Sequence, residues 1–180
     1  MPIPSALSQN SFDTRWYSLR RPAVTDAPLE WRKWLLDTGS LTQRLIAASQ
    51  GDFRVEVVRQ GWCRPTRSEA KALNIPSRQL AMIREVQLIG KGQAWVYART
   101  VIPASTLTGK QRELNFIGNR SLGSILFSDP TMKRGPLQIS KLKLITGESV
   151  WARRSLFHLS DKPLLVAEVF LPQLQQVHYP

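Results

Sequence analysis

The stretch LAMIREVQLIGKGQAWVYARTVI, residues 80–102, decides the fold. Two runs rich in apolar, β-branched and aromatic side chains, 80–89 and 94–102, flank Gly90-Lys91-Gly92-Gln93. Strand-like runs joined by a glycine turn predict a β-hairpin. Pro103 ends it. Working downstream, the spacing predicts three more strands, at about 136–145, 151–159 and 164–171, with Asp161-Lys162-Pro163 turning the last pair. Upstream, Phe53, Val55 and Val57 alternate with Arg54, Glu56 and Val58, which predicts a strand to about Cys63.

The helical signals lie mainly early in the chain. Leu29, Trp31, Trp34 and Leu35 predict an amphipathic helix after Pro28, broken at Asp37-Thr38-Gly39. Ser40 and Gln43 form a capping-box pattern at the start of a second helix, which runs to about Ala48 and ends near Gly51. A short helix is expected from Thr66 to Leu73, and another at Ser121-Leu122-Gly123-Ser124-Ile125-Leu126-Phe127, inside a helix-and-loop stretch over 104–130. About six strands running hairpin to hairpin, with helices segregated from them, predict a single α+β domain on an antiparallel sheet with the helices packed on one face. The Pro-rich segment 1–27 predicts an irregular arm anchored by Trp16 and Tyr17, leaving 28–180 as the folded domain.

Composition narrows the function. In 180 residues, 25 Lys+Arg stand against 13 Asp+Glu, a formal net charge of +12, and 17 of the cations are arginine, which points to an anionic partner. The single Cys63, with only His158 and His178 as further soft ligands, excludes a disulfide framework and multi-cysteine metal sites. His158 reads as an exposed or structurally bonded strand residue, and Cys63 as a small buried or half-buried one. With no apolar leader segment and no run approaching a membrane span, a cytoplasmic chain is expected. P-loop, GxGxxG, GxSxG and HExxH patterns do not occur.

Two charges interrupt the apolar pattern. Arg84 shares a strand face with Leu80, Met82, Val86 and Leu88, and Glu168 is the one charge within 164–171. A buried charge is costly unless paired or hydrogen-bonded. Either the two pair across the sheet, or one sits at an exposed edge, or both face a cavity and bind the polar ends of a mostly apolar ligand. Arg99 and Arg59 are candidates for a second cation or for structural arginines stacked on rings or bonded to carbonyls. Leu41 and Leu122 each follow a serine at a predicted N-cap. They read as ordinary first-turn residues or as marking helix starts whose free N–H groups attract anions.

The ordered set of short motifs resembles the chorismate pyruvate-lyase family. It comprises Trp34-Leu35-Leu36, Ser40-Leu41-Thr42, Ile83-Arg84-Glu85-Val86, Ala98-Arg99-Thr100-Val101-Ile102-Pro103, Ser105-Thr106-Leu107, Ser121-Leu122-Gly123 and Leu126-Phe127. The C-terminal part adds Trp151 to Ser155, Leu159-Ser160-Asp161-Lys162-Pro163-Leu164-Leu165 and Glu168 to Pro172. The resemblance spans about 31–172. It implies conversion of chorismate to 4-hydroxybenzoate and pyruvate, the entry step of bacterial ubiquinone synthesis, by a monomer without cofactor or metal. It further implies a ligand buried under helical flaps, contacted at Leu41, Arg84, Leu122 and Glu168. Leu41 stands where the family can carry Met, an apolar exchange costing under about 1.5 kcal/mol.

On that reading Arg84 takes the ring carboxylate, helped by amides near Leu41 or Leu122. Glu168 lies near the hydroxyl and the ether oxygen, as general acid or as an orienting group; an internal hydrogen shift fits the same residues. Two other functions fit parts of the sequence. One is a non-catalytic effector-binding domain of the same fold, as in bacterial transcription regulators, though no helix-turn-helix precedes the domain. The other is nucleic-acid binding, but the cations are scattered or paired (Arg20-Arg21, Lys133-Arg134, Arg153-Arg154), as on a solvated surface, without a dense basic stripe. A positive field would still steer a dianion toward the site, an effect salt weakens.

Overall fold

In the hairpin of residues 80–102, strands β3 (Ala81–Gly90) and β4 (Gln93–Pro103) are joined by Lys91 and Gly92, both at positive φ. Two consecutive left-handed residues make the tight turn whose twist matches that of the strands. The computed structural model describes residues 7–18 and 27–180. Around the hairpin, β2 (Phe53–Cys63), β6 (Gln138–Lys143), β7 (Ser149–Leu159) and β8 (Lys162–Phe170) complete the six long strands expected. Two-residue strands β1 (Tyr17–Ser18) and β5 (Lys133–Arg134) raise the total to eight, in the antiparallel order β1-β6-β7-β8-β4-β3-β2 with β5 beside β7. Elements so short carry no periodicity, so the pattern missed them.

Of the arm expected over 1–27, residues 1–6 and 19–26 lie outside the described residues. The remainder includes a 3-10 turn at Gln9–Phe12 and β1, which adds to the sheet edge at β6. The last hairpin turns at Ser160 and Asp161, both at positive φ, one step earlier than expected, and Lys162 and Pro163 already belong to β8.

Helices cover both faces. On one, α1 (Leu29–Leu36), α2 (Leu41–Ala48) and α4 (Leu122–Ser128) lie over Val86, Leu88, Val96, Ala98, Val166 and Phe170. Trp31, Trp34, Leu35, Leu41 and Leu45 pack into this layer, and a fully buried leucine contributes about 1.5–3 kcal/mol. On the other face, Leu73 of α3 (Arg67–Leu73) packs with Ile83, Val101 and Leu165, and Phe12 packs with Tyr97 and Val169. The reciprocal capping box forms at Thr66 and Glu69, opening α3.

Two bulges set which side chains share a face. Counting back from the Lys91-Gly92 turn without interruption would pair Arg84 with Arg99. The register instead slips between Leu88 and Ile89, leaving Trp95 as the extra residue, so Arg84 pairs with Thr100 and Arg99 with Glu85. The Trp95 ring lies over Gly90, where a Cβ would come within 2.1 Å of it, so only glycine fits. A second slip between Val57 and Arg59 puts Arg59 opposite Glu85 and Gln60 opposite Arg84. A one-residue slip exchanges the two faces of a strand.

Candidate functional site

Under α2 and α4 lies a cavity with about 570 Å³ of empty space, its open mouth included. Its floor is the sheet. Val86 and Leu88 come from β3, Ala98 and Thr100 from β4, Val166 and Glu168 from β8, and Phe157 and Arg153 from β7. Leu41 and Thr42 of α2 and Leu122, Gly123, Leu126 and Phe127 of α4 form the lid. Four of the five predicted positions, Leu41, Arg84, Leu122 and Glu168, therefore meet in one place.

The lid closes on itself. Ser40 caps α2, accepting from the Gln43 amide, and Ser121 caps α4, accepting from the Ser124 amide. The two helix starts touch, with the Thr42 and Ser121 hydroxyls 2.6 Å apart. A Cβ on Gly123 would sit 2.6 Å from Thr42 Oγ1. Gly123→Ala is expected to push this latch apart and speed amide hydrogen exchange in α2 and α4 by about fivefold, the worth of one hydrogen bond. Unchanged exchange would show that the latch does not hold the lid.

Arg84 and Glu168 do not pair with each other. They project from β3 and β8 on either side of β4, opposite Thr100 and Ala98, so their strands stand about 9.6 Å apart. Arg84 is 2% exposed and donates to Gln60 Oε1 and the Arg120 carbonyl, both at 3.1 Å. Among the described residues no carboxylate lies within 4.0 Å of it, and burial lowers its pKa from the ordinary arginine value. Glu168 accepts from Arg153 Nε at 2.5 Å, and Arg153 Nη1 donates to the carbonyls of Trp34 and Asp37 at the end of α1.

Arg99 is not brought to this site. It lies on the opposite face, fully buried, with a bidentate bond to Glu69 at 2.8 and 2.9 Å and a third bond to Glu85 at 2.5 Å. Tyr97 donates to the same Glu85, and Arg59 bonds its other oxygen, so the cluster is a structural network. His158 is half-buried and pairs with Lys133 in the sheet; Cys63 is a half-buried free thiol.

Arg134 and Arg153 are cavity residues the sequence reading missed. Both belong to basic pairs read as solvated surface, yet Arg153 is 1% exposed and Arg134 is half-buried. Period two along β7 held the signal, since Arg153 alternates with Ser155 and Phe157. Three guanidiniums and one carboxylate line a cavity whose other side chains are apolar apart from the hydroxyls of Thr42, Thr100 and Ser121, a formal surplus of two positive charges. Among the described residues no three His, Cys, Asp or Glu side chains cluster as a metal site, and no helix is long and apolar enough to cross a membrane.

The site is thus a cavity between an antiparallel sheet and the helices closed over it, with three guanidiniums and one carboxylate in its wall. The sequence model of the chorismate lyase family matches residues 16–178, and the chain belongs to that family. A protein of Marinobacter nauticus named probable chorismate pyruvate-lyase is 49% identical over 146 residues, 81% of this chain and 78% of that protein. A Pseudomonas aeruginosa protein of the same name is 40% identical over 159 residues, 85% of each chain. Among solved structures, a GntR-family transcriptional regulator from Bacillus cereus has TM-score 0.52 at 11% identity, covering 68% of this chain and 93% of that one. The effector domain of PhnF from Mycobacterium smegmatis has TM-score 0.50 at 13% identity, covering 76% and 91%. At such identity the likeness is one of fold alone.

Proposed function

We propose that this chain is a chorismate pyruvate-lyase, releasing 4-hydroxybenzoate and pyruvate without a cofactor, as the entry step of ubiquinone synthesis. The observation that carries the reading is the two-charge surplus in an apolar enclosure, with Arg84 lacking any carboxylate partner among the described residues. Chorismate is a dianion on a small ring, and relatives at 49% and 40% identity bear the lyase's name. A ring carboxylate on Arg84 would receive charge-assisted bonds, and the ring would lie over Ala98 and Thr100 with its hydroxyl toward Glu168. Leu41 and Leu122 close the apolar wall above it.

Glu168 acts as an orienting acceptor. A carboxylate that already accepts from Arg153 has lone pairs left to accept from the substrate hydroxyl. The reaction needs no proton from the protein. The hydrogen on the hydroxyl-bearing ring carbon shifts to the enol methylene while the ether C–O bond opens. The C–H pair becomes a ring π bond, the enol π pair makes the new methyl C–H bond, and the C–O pair makes the keto group of pyruvate. Holding the side chain over that hydrogen is a positioning task.

The direct test incubates purified protein with chorismate alone and identifies the aromatic product; no 4-hydroxybenzoate overturns the reading. Glu168→Gln keeps a hydrogen-bonding group and is expected to retain turnover within about tenfold. A loss of about 10²–10⁴ would instead mark a general acid.

A further inference from the structure

We propose that Arg134 is the second anion anchor of the cavity and binds the carboxylate of the enolpyruvyl side chain, the fragment that leaves as pyruvate. This rests on the chorismate reading and assigns a residue that neither the strand pattern nor the family resemblance marked.

At this end of the cavity two guanidiniums face one carboxylate. Glu168 is taken by Arg153, and Arg153 also serves the Trp34 and Asp37 carbonyls. Arg134 has no such acid: among the described residues no carboxylate lies within 4.0 Å of it. Its Nε donates to Ser155 Oγ at 3.2 Å and its Nη1 to the Thr38 and Gly39 carbonyls at 3.0 and 3.5 Å. Its guanidinium lies over the Phe157 ring, 5.1 Å from the centroid. These contacts fix the plane and leave Nη2 without an acceptor among the described residues.

Burial and the charge of Arg153 lower the Arg134 pKa, outweighing the more distant charges of Glu168 and Asp37 that raise it. The enolpyruvyl ether and the hydroxyl are neighbours on the chorismate ring, so a hydroxyl at Glu168 brings the side chain to the same end. A monoanion such as 4-hydroxybenzoate satisfies Arg84 and makes no demand on Arg134. Arg134 therefore discriminates the two-carboxylate substrate from its one-carboxylate product.

The test compares wild type, Arg134→Gln and Arg134→Lys by steady-state kinetics on chorismate and calorimetry with 4-hydroxybenzoate. Arg134→Gln is expected to lower kcat/KM about 30-fold, mostly through KM, with 4-hydroxybenzoate affinity within about threefold of wild type and partial rescue by Lys. Unchanged kcat/KM overturns the anchor, and so does an equal loss of 4-hydroxybenzoate affinity, which would make Arg134 a prop for the cavity wall. Wild-type protein that binds chorismate without turning it over would sink the lyase reading instead. In that event chorismate binding selectively weakened in Arg134→Gln still supports the anchor, and binding weakened equally for both ligands still overturns it.

Discussion

Arg84→Ala weakens 4-hydroxybenzoate binding by at least about 100-fold, the loss expected when a buried carboxylate is stripped of its only cation. Arg84 stands on a strand face otherwise made of Met82, Val86 and Leu88, where water cannot substitute for a missing guanidinium. Its two protein bonds, to Gln60 and the Arg120 carbonyl, use neutral acceptors that orient the group without neutralising it. The charge is thus left for the ligand. Titration calorimetry reads the affinity, and Arg84→Lys, which keeps the charge but not the fork, should recover only part of it. Unchanged affinity in Arg84→Ala would remove Arg84 from the site.

On the other face of the sheet, Arg99→Ala is expected to cost about 3–5 kcal/mol of stability, because it strands Glu69 and Glu85 without their shared cation. Urea denaturation measures it, and a cost below about 1 kcal/mol would mean that Arg59 and Tyr97 suffice to hold the carboxylates. The pH dependence gives a second check. Burial pushes the Glu69 carboxyl up, but the Arg99 hydrogen bonds and charge outweigh it and hold it below the ordinary carboxylate range. A carboxyl held low in the folded state adds stability above about pH 4.5, which is lost as pH falls through its folded value. In Arg99→Ala the Thr66 hydrogen bonds remain but the guanidinium is gone, so burial weighs more and the Glu69 carboxyl is held less low. Wild type therefore loses its advantage over the variant on acidification, and the gap between the two narrows toward pH 4.

Long-period features were legible in the sequence and register was not. Six strands and the helix starts at Ser40 and Ser121 follow from alternation and capping, and Arg84 and Glu168 stood out because each breaks an apolar run. Arg99 sat on the face of Tyr97 and Val101 as alternation required, but Trp95, expected on that face too, packs on the other. Whether that face was also Arg84's depended on one extra residue, Trp95, which no periodicity reveals. Arg59 was displaced by the same device in β2. Arg153 and Arg154 were hidden for another reason. Adjacent charges look like a solvated pair, but β7 is covered on both faces, so one enters the cavity and the other bonds Gln138 and Ser68 opposite it.

The short connector between α1 and α2 carries an implication for how the site lets go. Its carbonyls at Asp37, Thr38 and Gly39 hold Arg153 and Arg134, and α2, which it leads into, forms half of the lid. Swinging that helix away would withdraw the dipoles that aim both guanidiniums and admit water to compete for them. Anion affinity is then a property of the shut conformation, not of the chain as such. A swing of α2 that gave a bound anion its way out would also disarm the electrostatic trap that kept it in.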